Sequence, residues 1–193
     1  MTYTIIRQKD QKVSLWSGGK SKELFLYPAH ASYAARDFLI RIFSATVEDD
    51  PSNFTILQGF HRILMSLTGP LKLTYEGHGE ALLEPFQSVE FEGGWNTTSY
   101  GKCTDIGIML AEGWKGSLLA AGPGAYKYKE GFTGIYALAD FLDISVKTGG
   151  ETIPVSLGQG DFLLVENDTV ESDLTLLTAG LYGAVIVRAW PVI

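Results

Sequence analysis

Cysteine is nearly missing from this chain of 193 residues. Cys103 stands alone, so no internal disulfide forms. Histidine is sparse, with only His30, His61 and His78. Positive charge is also short: 15 Lys and Arg face 22 Asp and Glu, a net charge of -7, and the pI is near 4.9. That deficit argues against nucleic acid or an anionic membrane as partner. Neutralising phosphate takes a Lys/Arg surface, and no basic run supplies one. Long apolar runs are missing too: none reaches the roughly 18 residues a membrane helix needs. Met1 to Lys12 is polar and lacks the apolar centre of an export signal. A reducing, cytoplasmic setting is therefore expected.

What is present is apolar enough to fold, with 46% hydrophobic and 19% charged residues. The length fits one large domain or two small ones in contact. Strand signals dominate. Phe38 to Val47 is rich in branched and aromatic residues, Leu71 to Tyr75 alternates apolar and polar, and Ser88 to Phe91 alternates again. Gly69-Pro70, Gly77 to Glu80 and Gly93-Gly94 punctuate them. Further strands are expected around Ile135–Leu138, Leu142–Lys147, Thr152–Leu157, Phe162–Val165, Leu174–Leu177 and Ala184–Trp190, divided by Gly149-Gly150, Gly158 to Asp161 and Asn167-Asp168. Short strands at this spacing predict an all-β barrel or sandwich. The glycine-rich stretch from Trp114 to Gly134 reads as a connection between halves. A helical turn is expected only at Tyr33 to Phe38.

Several motifs carry possible chemistry. Gly19-Lys20-Ser21 resembles the end of a phosphate loop, but that loop needs a glycine where Ser14 stands and a helix where a strand pattern follows. The glycine pair reads instead as a tight turn placing Trp16 and Glu23 at a barrel rim. The histidines lack the paired spacing of a strand-borne metal site, so no metal and no cofactor are expected. Cys103 has no local base, and no Gly-x-Ser-x-Gly elbow exists. Arg41 and Arg62 sit inside apolar strands, where a charge must face solvent or find a partner. Alternation groups Arg41 with Phe43 and Ala45, and Arg62 with Leu64 and Ser66, while His61 faces the other way. Two readings stand. The arginines line a pocket and hold a carboxylate bidentately, or they form structural pairs, with Glu23 the obvious partner.

The hairpin Ile153 to Asn167, with its Gly-Gln-Gly-Asp turn, resembles that of cupin barrels. Further residues resemble the HutD/Ves family of small bicupins. These are Trp16, Gly18-Gly19, Ser21 and Glu23; Arg41, Ser44, Ala45 and Val47; Phe54, Gly59, Arg62 and Leu67-Thr68-Gly69; Phe91 to Trp95; and Gly101 with Asp105 to Met109. The matches run from Trp16 to Met109, and the remainder fits as a second barrel. The chain departs from the pattern in a shorter glycine turn, in Gly107 where the family has Asn, and in Ala111-Glu112 where arginines often stand.

The resemblance implies two cupin-like double-stranded β-helices (RmlC-like jelly rolls) in one bicupin domain, residues 1–113 and 114–193. It also implies a cytoplasmic accessory or regulator of histidine utilisation without established catalysis. Together these observations predict a metal-independent protein that binds a small anionic, amino-acid-like metabolite. Trp16, Glu23, Arg41, His61, Arg62 and Asp105 are the binding residues, with Glu23 taking an amino or imino group and no catalytic residue assigned. Two other functions are open: an isomerase, lyase or hydrolase with Glu23 or His61 as general base, and a non-catalytic scaffold. Exposed barrel edges make a homodimer an expectation.

Overall fold

A computed structural model of the chain describes residues 2–148, 150–167, 172–177 and 180–192. The turn signals at Gly149 and Asp168 lie outside the described residues. The chain runs through β1 (Thr2–Ile6), a single 3-10 turn at Gln8–Asp10, β2 (Lys12–Trp16), β3 (Gly19–Tyr27), β4 (Ile40–Val47), β5 (Ser52–Asn53), β6 (Phe60–Ser66), β7 (Leu71–Tyr75), β8 (Gly79–Leu83), β9 (Ser88–Glu92), β10 (Thr97–Tyr100) and β11 (Thr104–Ala111). It continues through β12 (Trp114–Ala121), β13 (Gly124–Tyr128), β14 (Gly131–Ala137), β15 (Phe141–Thr148), β16 (Glu151–Gly158), β17 (Phe162–Asn167), β18 (Ser172–Leu176) and β19 (Ala184–Pro191). The fold class is all-β, as the alternating patterns predict. Among the described residues no helix is long and apolar enough to cross a membrane. Ser32 to Arg36 forms only one turn, closed by the Arg36 amide on the Ser32 carbonyl at 3.1 Å.

Two compact units divide the chain: Lys12–Gly116, and Met1–Gln11 together with Ser117–Val192. The first holds a six-stranded sheet, β2-β3-β4-β11-β6-β9, and a four-stranded sheet, β5-β10-β7-β8. Its core gathers Phe38, Phe43, Leu64, Leu71, Leu73, Tyr75 and Phe91. Both faces of β4 are buried: Ile40 and Ile42 are fully enclosed on one side, Arg41, Phe43 and Ala45 on the other. The second unit holds a five-stranded sheet, β1-β17-β14-β19-β12, and a four-stranded sheet, β13-β18-β15-β16, around Ile135, Leu142, Ile144, Leu163, Val165, Leu174 and Ile186.

Two sequence expectations change here. Residues 1–11 belong with the second unit rather than the first, because β1 pairs antiparallel with β17 from Thr2↔Glu166 to Ile6↔Phe162. Asp161 clamps that arrangement. Its carboxylate accepts from Arg7 Nη1 at 2.7 Å, from the Gln8 amide at 2.8 Å and from the Gly158 amide at 3.0 Å. Burial works against the charge, but these donors outweigh it and hold the Asp161 pKa below its ordinary value. The stretch Trp114–Gly134 is likewise not a mere connection. It contributes β12 and β13, whose glycines sit at the strand ends and at Gly116, where they blur the alternation by which a strand is read.

Candidate functional site

The site is built on the middle of the six-stranded sheet. β11 runs between β4 and β6, and Met109 lies opposite Arg41 on one side and Arg62 on the other. Period-two alternation then sends Arg41, Phe43 and Ala45 to the same face as Asp105 and Met109, and as Arg62 and Leu64. All of these line one cavity of about 340 Å³, near the lower end of the range of small-molecule sites. The β2–β3 hairpin forms a further wall with Ser14, Leu15, Trp16, Ser17 and Ser21, and loops add Tyr33, Phe54 and Thr55.

The glycine pair of the hairpin makes this wall possible. A Cβ on Gly18 would lie 2.4 Å from the Trp16 ring. Gly19 has φ +153°, and a Cβ there would lie 2.0 Å from the Thr46 carbonyl oxygen. Only glycine fits both positions, so the turn folds tightly and the Trp16 indole packs edge-on against Phe54 at 5.8 Å. Lys20 turns away and pairs with Glu48 at the surface.

Arg41 is 3% exposed. Its guanidinium carbon lies 4.1 Å from the Tyr33 ring centre and 4.9 Å from that of Phe43. Nη2 donates to Ser21 Oγ at 3.1 Å, and Nε donates to Glu23 Oε2 at 3.5 Å. Burial lowers its pKa, opposed by Tyr33 and Glu23. Arg62 is 6% exposed and has no carboxylate partner among the described residues. Its Nη2 donates to the Thr55 carbonyl, and the group lies about 6 Å from the Phe54 and Phe91 rings. Burial, with the like charge of Arg41 adding to it, lowers its pKa to about 10, so it stays charged at neutral pH.

Asp105 is 2% exposed. Burial pushes its pKa up to about 8, with the Ala45 amide acting in the opposite direction. Three buried polar atoms of wall residues have no hydrogen-bond partner among the described residues: Trp16 Nε1, Arg62 Nε and Asp105 Oδ1. Buried polar groups are almost always hydrogen-bonded; the other described atoms without such a bond, Gln11 Oε1, Tyr75 OH, Thr133 Oγ1 and Arg188 Nε, belong to residues that do not line the cavity. Leu15, Phe43, Ala45, Phe54, Leu64 and Met109 supply the apolar remainder.

Of the six residues singled out in the sequence, Trp16, Arg41, Arg62 and Asp105 meet on the cavity wall. Glu23 stands behind Arg41 as its ion partner and is not part of the lining. His61 lies outside the cavity, on the opposite face of β6, as alternation predicts. Its Nδ1 is 2.9 Å from Glu92 Oε1 and its Nε2 3.1 Å from Glu90 Oε2. Burial opposes its charge, but the two glutamates outweigh that and raise its pKa. Cys103 is buried, and burial with Asp105 nearby pushes its thiol up to about 11, the reverse of an activated nucleophile. Among the described residues no three His, Cys, Asp or Glu side chains gather as a metal site. Sequence reasoning did not place Tyr33 and Thr55 in the site. Both lie in loops, where no periodicity points them inward.

The family model HutD matches residues 8–182, and the chain belongs to the HutD family. Its fold is similar to that of the conserved protein of unknown function PA5104 from Pseudomonas aeruginosa PAO1, at a TM-score of 0.84 and 20% identity, covering 98% of this chain and 100% of that one. HutD from Pseudomonas fluorescens SBW25 matches at a TM-score of 0.75 and 18% identity over 100% of both chains. Oxalate decarboxylase from Bacillus subtilis matches at 0.63 and 8% identity, covering 97% of this chain and 76% of that one. These likenesses define a cupin-like all-β fold. No curated protein matches this chain.

Proposed function

We propose that this chain is a bicupin, each compact unit one cupin barrel, that binds a small anionic, amino-acid-like metabolite in the cavity of residues 12–116. The carrying observation is the convergence of two buried arginines on a cavity whose wall residues Trp16, Arg62 and Asp105 each hold a buried polar atom without a hydrogen bond among the described residues. An isolated buried cation is costly, and a bound carboxylate would relieve that cost by answering the charge that Arg62 contributes to the cavity wall. The scaffold reading expects both arginines outside any cavity, whereas they line one. In this reading binding is independent of metal, the protein acts in the cytoplasm as an accessory or regulator of histidine utilisation, and edge strands permit a homodimer.

A thermal-shift screen of small amino and carboxylic acids tests the reading. A ligand raises Tm with concentration, and Arg62→Ala abolishes the rise. No shift with any acid, or an undiminished shift in Arg62→Ala, contradicts it.

A further inference from the structure

The charges of the cavity do more than favour an anion. Glu23 answers Arg41 at 3.5 Å, while among the described residues Arg62 meets the Thr55 carbonyl and two aromatic rings but no carboxylate. Among the described residues the cavity wall thus carries one positive charge without a carboxylate partner. On the same wall Asp105 presents an unpartnered Oδ1. Asp105 is four residues along β11 from Met109, the residue that both arginines flank, a separation of roughly 13 Å between backbones. Arg41, Arg62 and Asp105 line the same cavity, and the Arg41 guanidinium reaches Ser21 Oγ, whose residue lies opposite Ala45, itself opposite Asp105. A plain carboxylate answers Arg62 and leaves Oδ1 unmet. A dianion leaves surplus negative charge in an apolar enclosure. A molecule with one carboxylate and one charged nitrogen pairs every group, provided Asp105 is ionised.

We propose that Asp105, not Glu23, receives the ligand's primary or secondary ammonium N–H, so that the cavity prefers amino and imino acids to plain carboxylic acids and releases a proton on binding them. This rests on the reading of the cavity as an anion-binding site. The Asp105 O–H bond breaks, its proton passes to the solvent, and the carboxylate left behind accepts the ligand's N–H. Burial raises the Asp105 pKa to about 8, against the Ala45 amide. Across the sheet it faces Ala45 of β4 and Ser66 of β6. Ser21 of β3 lies opposite Ala45, and the nearby titratable group is the Cys103 thiol, which stays protonated at neutral pH. Arg41, stacked on the Tyr33 ring at 4.1 Å, and Arg62 are the cations of the same cavity. His61 lies outside the cavity.

Isothermal titration of the full chain tests this, using common α-amino acids and L-proline, each paired with the acid that lacks its nitrogen. Titrations at pH 6, 7 and 8 are run in two buffers of different ionisation enthalpy. The amino or imino member is expected to bind at least about tenfold tighter, with nearly one proton released per ligand at pH 7. Affinity is expected to rise about tenfold from pH 6 to pH 7 and to level off above pH 8. Asp105→Asn is expected to keep carboxylate binding while losing the preference and the proton release. Equal binding within pairs, no proton release by the wild-type protein, or a preference that persists in Asp105→Asn overturns the assignment and leaves the anion site standing. If no member of either series binds the wild-type protein, the anion-site reading fails, and this inference with it.

Discussion

A carboxyl group as enclosed as that of Asp105 carries a stability cost that depends on pH. Unfolded, an aspartate titrates near about 3.9; in the folded protein Asp105 titrates near about 8. The folded state therefore binds more protons between those values, and stability falls as pH rises through that window, by about 1.4 kcal/mol per pH unit. Asp105→Asn removes this slope. Denaturant unfolding is expected to show the variant gaining on the wild type by about 4 kcal/mol between pH 5 and pH 8; an unchanged difference would contradict it. Such a cost, held at a residue with an unpartnered oxygen, fits a group retained for function. At this scale the sequence was readable where strands alternate: the shared face of Arg41, Phe43 and Ala45, and of Arg62 and Leu64, follows from period two. The acceptor was not readable. Glu23 and Asp105 are both acids on strands, and only the register shift between Glu23 and Phe25 and the approach of Arg41 Nε decide which one is engaged.

Elements position these residues through close backbone approach. In β11, Gly107 stands where packing leaves no room for a side chain. A Cβ there would lie 2.5 Å from the Phe43 ring and 3.1 Å from Leu64. Phe43 lies under Arg41 at 4.9 Å, so crowding Gly107 displaces a cavity wall and the cation resting on it. Gly107→Ala is expected to cost about 1–3 kcal/mol of stability and to weaken the ligand-induced rise in Tm. Denaturant midpoints at constant m and the thermal-shift screen check the two effects. A variant as stable as the wild type, with full ligand response, would show that the ring has room to move. Strand existence was legible from branched and aromatic runs. β12 and β13 were not, because glycines at their ends and within β12 imitate a linker.

For the whole molecule, the division of the chain is set by hydrogen bonding rather than by order in sequence. β1 completes the five-stranded sheet beside β17, and Arg7 and Gln8 bond Asp161. A polar opening segment gave no hint of a partner so distant in sequence. The cavity, by contrast, draws only on residues between Ser14 and Met109. Deleting residues 2–11 is therefore expected to speed amide exchange in Phe162–Val165 and lower Tm, while Ile106–Leu110 stays protected. Uniform loss of protection across both segments would contradict this division.

The cavity's occupancy by an anionic ligand is tested most directly at the Trp16 indole, whose N–H is buried and has no acceptor among the described residues. The chain has four tryptophans, and ¹⁵N labelling resolves one indole signal for each, with Trp16 assigned through Trp16→Phe. On titration with the tightest amino acid from the thermal-shift screen, the Trp16 indole proton is predicted to move downfield and saturate, as its N–H acquires a carboxylate acceptor, while the Trp95, Trp114 and Trp190 signals hold still. A Trp16 signal that does not move while the ligand binds would contradict the account.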